Sequence, residues 1–143
     1  MRSHAESLWS PGSHVIYVVS MGHAGVEITI ANMEKTRSRS VKALVDTGAS
    51  LTVLPEQLAD DLGIAVIGEE RVSTGAGEVR IKRGRAWLSV KGKEDAFPVW
   101  ISGVIDKVLL GVVVLESFGF EVDPATGLLK ERPLLLYPVA PYG

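Results

Sequence analysis

The chain has 143 residues, a formal net charge of −2 and a hydrophobic fraction of 46%. That is room for one domain with a modest core but not for two full lobes, and the charge gives no pull toward nucleic acid or an anionic membrane. Cysteine is absent, which excludes disulfides, thiolate catalysis and cysteine-based metal sites.

The opening "MRSHAESLWSPGSH" lacks the basic region and apolar stretch of a signal peptide. Residues 1–20 read as an N-terminal extension, a leader or a tag remnant, with Met21 as an alternative start. His4, His14 and His23 all fall in this opening segment, so a histidine-dependent mechanism would sit on the least structured part of the chain. The apolar runs at 15–19 and 108–115 fall well short of the roughly 18 residues a membrane helix requires. Without signal or span, the expected location is the cytoplasm.

Residues 26–31, "VEITIA", alternate like a half-buried strand. "NMEKTRSRSVK" follows; its Lys35, Arg37, Arg39 and Lys42 read as a solvated hairpin loop rather than a basic binding patch. Strands are predicted over 41–45 and 51–54. Pro55 stands where a helix accepts its first residue, and "EQLADDLG" supplies one or two turns with Leu58 and Leu62 on one face and Gly63 as the stop. From Ile64 the pattern turns β again through "IAVIG". The central "TGAG" marks a turn between two strand-like arms. "AWLSV" and "FPVWI" alternate around a hairpin at 91–95, which makes Trp87 and Trp100 core residues. Residues 112–118 suggest a short helix closed by Gly119. "FEVD" and "GLLKE" bracket a Pro-Ala-Thr-Gly turn, and "RPLLLYPVAPYG" is a proline-broken tail. Many short strands with one or two small helices point to an all-β barrel or sandwich.

One carboxylate interrupts this pattern. In "LVDTGASLTVLP", residues 44–55, Asp46 stands between two apolar strands. Asp-Thr-Gly is an ordinary turn sequence. A turn flanked by apolar strands, however, holds its acid close to the core, where a lone charge is costly. Gly48 lets backbone approach the carboxylate, and Thr47 offers a hydroxyl to lock the loop. One carboxylate cannot easily both activate water and protonate a leaving group, whereas two about 3 Å apart share one proton and divide the work. The chain has a single such loop; Asp60-Asp61-Leu62-Gly63 lies in a helical pattern. The second acid must come from another copy across a two-fold axis.

"LVDTGAS", followed later by "VLLG", resembles the retropepsin-like aspartic proteases. It is still more similar to their cellular and bacterial retroviral-like members, over roughly residues 26–131. The resemblance implies an all-β, closed or partly open acid-protease barrel over 21–132 with one or two short helices, assembled as a two-fold homodimer with one active-site aspartate per subunit. It implies that Asp46 is catalytic, that Thr47 bonds across to its mate, that Gly48 helps hold the dyad, and that Ala49 and Ser50 begin the substrate-lining segment. Leu109, Leu110 and Gly111 match the strand that supports the loop. Ser73, Thr74, Gly75, Ala76 and Gly77 match the tip of a hairpin flap that closes on substrate; a plain hairpin turn is the other reading. In the tail, 133–143, residues 134–137 read either as a dimer-interface strand or as ordinary packing.

Two departures stand out. Val112 and Val113 follow Gly111, where retroviral members carry Arg or a similar polar residue that braces the loop, and the flap has neither Trp nor Tyr. The expected function is an aspartic endopeptidase cutting extended, hydrophobic segments, with no cofactor and no metal. Its partners are a second copy and a peptide or protein substrate, not nucleic acid or membrane. The alternative is a catalytically weak or inactive dimerisation or peptide-binding module on the same fold. A phosphate cradle at "TGAGEVRIKRG" is the weaker reading, since the Gly-Lys-Ser/Thr ending and a strand-to-helix context are both missing. Glu69–Glu70 and Asp60–Asp61 read as solvated surface.

Overall fold

The computed structural model describes residues 25–133 and Leu136. The N-terminal extension, the three histidines and most of the C-terminal tail, with its interface-strand reading, lie outside the described residues. The elements in chain order are β1 (Gly25–Ala31), β2 (Ser38–Val45), β3 (Thr52–Pro55), α1 (Glu56–Leu62), β4 (Gly68–Thr74), β5 (Gly77–Val90) and β6 (Lys93–Ser102). They continue with β7 (Val108–Leu110), α2 (Val112–Phe118), β8 (Phe120–Val122) and β9 (Leu129–Glu131).

Alternation along three strands builds the interior. Ile28 and Ile30 on β1, Ala86, Leu88 and Val90 on β5, and Phe97, Val99 and Ile101 on β6 are buried together, as a period of two requires when one sheet face is covered. The strands run in the order β1-β2-β7-β3-β6-β5-β4, and Ile28–Ala31 of β1 also pair with β5. That extra pairing closes six strands into a barrel and removes their open edges. β4 stays outside the closure. It pairs only with the first half of β5, so that β4 and β5 leave the barrel as a two-stranded arm.

Both helices seat apolar faces on this interior: Leu58, Ala59 and Leu62 from α1, and Val114, Leu115 and Phe118 from α2. Phe118 meets Phe97 and Phe120 edge-to-face, with centroids 5.3 and 6.2 Å apart. Both helices end where glycine was expected to stop them, at Gly63 and Gly119 in left-handed C-caps. β8 and β9 form a separate hairpin around residues 123–128.

Several sequence expectations need correction. Pro55 is the N-cap of α1, with extended backbone, rather than its first helical residue. Residues 64–67 are not a strand. Ile64 is buried while Val66 and Ile67 are 50% and 62% exposed, because this segment crosses β5 at Gly84 instead of pairing along it. A Cβ on Gly84 would stand 2.9 Å from the Ala65 carbonyl oxygen. The hairpin predicted at 91–95 is a two-residue turn at Lys91 and Gly92, and β2 starts at Ser38 rather than Val41. The basic loop is organised by buried Asn32, whose Oδ1 accepts the N–H groups of Thr36 and Arg37 at 2.9 and 3.1 Å.

Candidate active site

β2 ends at Val45 and delivers Asp46 to the start of a tight loop. β7 runs parallel to β2 and antiparallel to β3, placing its backbone between the two strands that flank the loop. The Asp46 N–H donates to the Leu110 carbonyl at 2.9 Å, and the Ala49 N–H turns back onto the Asp46 carbonyl at 3.1 Å. The N–H groups of Val112 and Val113 then donate to the carbonyls of Ala49 and Ser50, at 2.8 and 3.1 Å. These belong to the first turn of α2, whose leading N–H groups have no partner within the helix. The polar side-chain brace missing from the sequence is therefore replaced by backbone.

Gly111 makes this approach possible. A Cβ there would lie 2.4 and 2.5 Å from the carbonyl carbon and oxygen of Leu51, so any side chain would push the loop away. The Gly111 N–H donates to the hydroxyl of Thr52 at 3.0 Å, and Thr52 is wholly buried.

Asp46 is itself buried, at 6% exposure, and its Oδ1 accepts the Gly48 N–H at 2.9 Å. Burial pushes the carboxyl above its ordinary pKa, and the backbone N–H groups of Gly48 and Ala49 pull it only partway back. Desolvation penalises the charged form while donors favour it. An acid balanced in this way can hold or release a proton without leaving its mount.

The carboxyl opens on a cleft of about 330 Å³. On the barrel side, Val53, Leu109, Trp100 and Ser102 line it beside Gly48 and Ala49, with Ile105 from the β6–β7 connection. On the other side stands the β4–β5 arm, contributing Val72, Val79 and Ile81 and the tip residues Ser73, Thr74 and Gly75. The tip is tied locally: the Thr74 hydroxyl donates to the Gly77 carbonyl at 2.7 Å and accepts the Ala76 N–H at 3.1 Å. Among the described residues no group of three or more His, Cys, Asp or Glu is gathered closely enough to hold a metal ion.

The structure thus brings Asp46, Gly48, Ala49, Ser73, Thr74, Gly75 and Leu109 to one cleft. Ala76 and Gly77 complete the arm's turn without lining it, and Leu110 and Gly111 lie behind the loop as its support. Thr47 and Ser50 are exposed outside the cleft. The residues that form the apolar wall were not foreseen, and Trp100 corrects the sequence reading. It is half-buried and faces the cleft rather than the core. Trp87 is also half-buried and lies on the outer surface of the barrel, with its indole N–H donating to the Met33 carbonyl at 3.1 Å and Lys35 over its ring. The acidic pairs are surface residues engaged in ion pairs, Glu69 with Arg80, Glu70 with Arg83 and Asp61 with Arg39.

The family model described as aspartyl protease matches residues 26–114. Among solved structures, the chain is similar to the EIAV protease complexed with the inhibitor HBY-793, with a TM-score of 0.52 and 19% identity over 66% of this chain and 86% of that one. It is also similar to a retropepsin-like aspartic protease from Rickettsia conorii, with a TM-score of 0.50 and 28% identity over 69% and 76%. The retroviral protease-like domain of Ddi1 from Leishmania major matches at 21% identity and a TM-score of 0.47, over 78% and 90%. No curated protein matches the chain.

Proposed function

Because the chain belongs to the aspartyl protease family, we propose that it is an endopeptidase that hydrolyses peptide bonds in extended, largely hydrophobic segments through a pair of Asp46 carboxylates contributed by two copies. The observation that carries this reading is the mount of Asp46: a buried carboxyl with raised pKa, held by a backbone N–H, at the edge of an apolar cleft beneath a hairpin arm. Two such acids face to face cannot both ionise comfortably and share one proton. The ionised member takes a proton from water as the water oxygen bonds the peptide carbonyl carbon, and the protonated member gives its proton to the carbonyl oxygen. Collapse of the resulting gem-diol breaks the C–N bond, with a proton passing to the amine. The apolar walls offer pockets to hydrophobic side chains and exclude bulk water from the reacting atoms.

Exposure of Thr47 and Ser50 on the loop supports a partner docking on this face. Activity is expected to be best at mildly acidic pH, where the pair carries one proton. The test is digestion of an unstructured protein from about pH 3 to about pH 7 by wild type and by Asp46→Asn, with the variant expected to lose about 10²–10⁴-fold in rate. Equal cleavage by the two proteins rules the assignment out. Binding of extended peptides without turnover, unchanged in Asp46→Asn, would establish a non-enzymatic peptide-binding module instead.

A further inference from the structure

Among the described residues, one buried side-chain polar atom lacks a hydrogen-bond partner, and it belongs to the cleft. Asp46 holds the Gly48 N–H, Thr74 is engaged at the arm's turn, and the Ser102 hydroxyl accepts the Val104 N–H at 3.2 Å. The indole N–H of Trp100 is buried and has no hydrogen-bond partner among the described residues. Trp87, the other described tryptophan, satisfies its N–H on Met33. A buried donor without an acceptor costs free energy, and such groups are rare in folded proteins.

The register shows that the residues paired with Trp100 supply no side-chain acceptor. Trp100 pairs with Val53 on β3 and with Arg83 on β5. Directly paired residues share a sheet face, and this face is opposite to the one from which Val99 and Ile101 enter the core. Val53 has no polar atom, while Arg83 only donates and holds Glu70 at 3.2 Å. Much of the cleft wall, including Val72, Val79, Ile81 and Leu109, is hydrocarbon.

We propose that Trp100 determines specificity: when a bound peptide parts the side chains that cover the indole N–H, that N–H donates to a side-chain carbonyl or carboxylate oxygen of the peptide, so that one subsite of an otherwise apolar cleft takes Asn, Gln, Asp or Glu. The proposal rests on the endopeptidase reading above. An apolar pocket discriminates only weakly between side chains of similar size, whereas a site built around a hydrogen-bonding group rejects ligands that leave it unpaired.

The experiment profiles cleavage of a peptide library by wild type and Trp100→Phe, with Asp46→Asn as the inactive control. Wild type is expected to favour acceptor side chains over Leu or Met at one subsite by roughly tenfold or more, the worth of one hydrogen bond to a buried donor. Trp100→Phe loses that preference at that subsite alone, read as the ratio of acceptor-bearing to apolar cleavage, while the preferences at the other subsites stay as in wild type. A second readout needs no turnover. In an Asp46→Asn chain whose other tryptophans, Trp9 and Trp87, are replaced by Phe, an acceptor-bearing peptide shifts the Trp100 emission to longer wavelength and its apolar counterpart does not. An unchanged library profile in Trp100→Phe, or identical emission with both peptides, overturns the proposal. Equal cleavage by wild type and Asp46→Asn overturns the endopeptidase reading instead, and the emission arm then decides the role of the indole alone.

Discussion

At the scale of single residues, the loop depends on groups that are costly to leave unpaired. Thr52 illustrates the point: its hydroxyl is the only partner of the Gly111 N–H among the described residues, and both are buried. Thr52→Val keeps the shape and strands the N–H, so we expect a loss of about 1–3 kcal/mol in urea unfolding, against little change for Thr52→Ser. Gly111→Ala must displace the Leu51 backbone and is expected to cost about 1–3 kcal/mol by overpacking, with activity lost beyond what the stability change explains. For Asp46 the linkage runs the other way. Its native pKa is raised, so the acid costs the fold nothing at low pH, where it is neutral folded and unfolded. Stability is lost as pH rises through the native value, because the unfolded chain ionises freely and the buried carboxyl does not. Asp46→Asn is therefore expected to melt above wild type at neutral pH, with the gap narrowing toward about pH 3. A gap that widens on acidification contradicts the raised pKa.

Among the elements, the β4–β5 arm is held differently from the barrel. Beyond Lys82, toward the tip, it pairs with no other strand, and its outward face carries ion pairs, Glu69–Arg80 at 2.8 Å and Arg71–Glu78 at 3.6 Å, between exposed side chains. Exposed pairs contribute about 0–1 kcal/mol each. Amides of 69–81 are expected to exchange with solvent well before those of β1 and β6, and a bound peptide analogue is expected to slow them. Equal protection of arm and barrel in the unliganded chain would show an arm that does not open separately. The turn of this arm was legible in Thr-Gly-Ala-Gly, and the acid loop in Asp-Thr-Gly, since both rely on local backbone chemistry. The cleft wall was not. "FPVWIS" is apolar on both faces, so alternation could separate Trp100 from Val99 without saying which face is the core. The brace of the loop was hidden for another reason: it consists of backbone N–H groups, and Val112 and Val113 reveal nothing of it by their side chains. The apolar run at 64–67 misled because only Ile64 is buried, against β5 at Gly84, while Val66 and Ile67 stay exposed.

For the whole molecule, the proposed chemistry makes activity a property of two chains at once. A subunit carrying Asp46→Asn keeps the loop, because Gly48 can still donate to the amide oxygen, and so it should still pair with wild type. Each mixed dimer then has one acid where the reaction needs two. Random pairing of equal amounts of the two chains leaves roughly a quarter of dimers with both acids, so specific activity per wild-type chain is expected to fall to roughly half once subunits have exchanged. Diluting the wild-type protein gives the complementary signature: rate falls with the square of concentration below the dimer dissociation constant and linearly above it. A chain acting alone would show neither effect. Its activity would be indifferent to added Asp46→Asn protein and first order throughout, and the lone acid of each barrel would then need a proton partner other than its own copy.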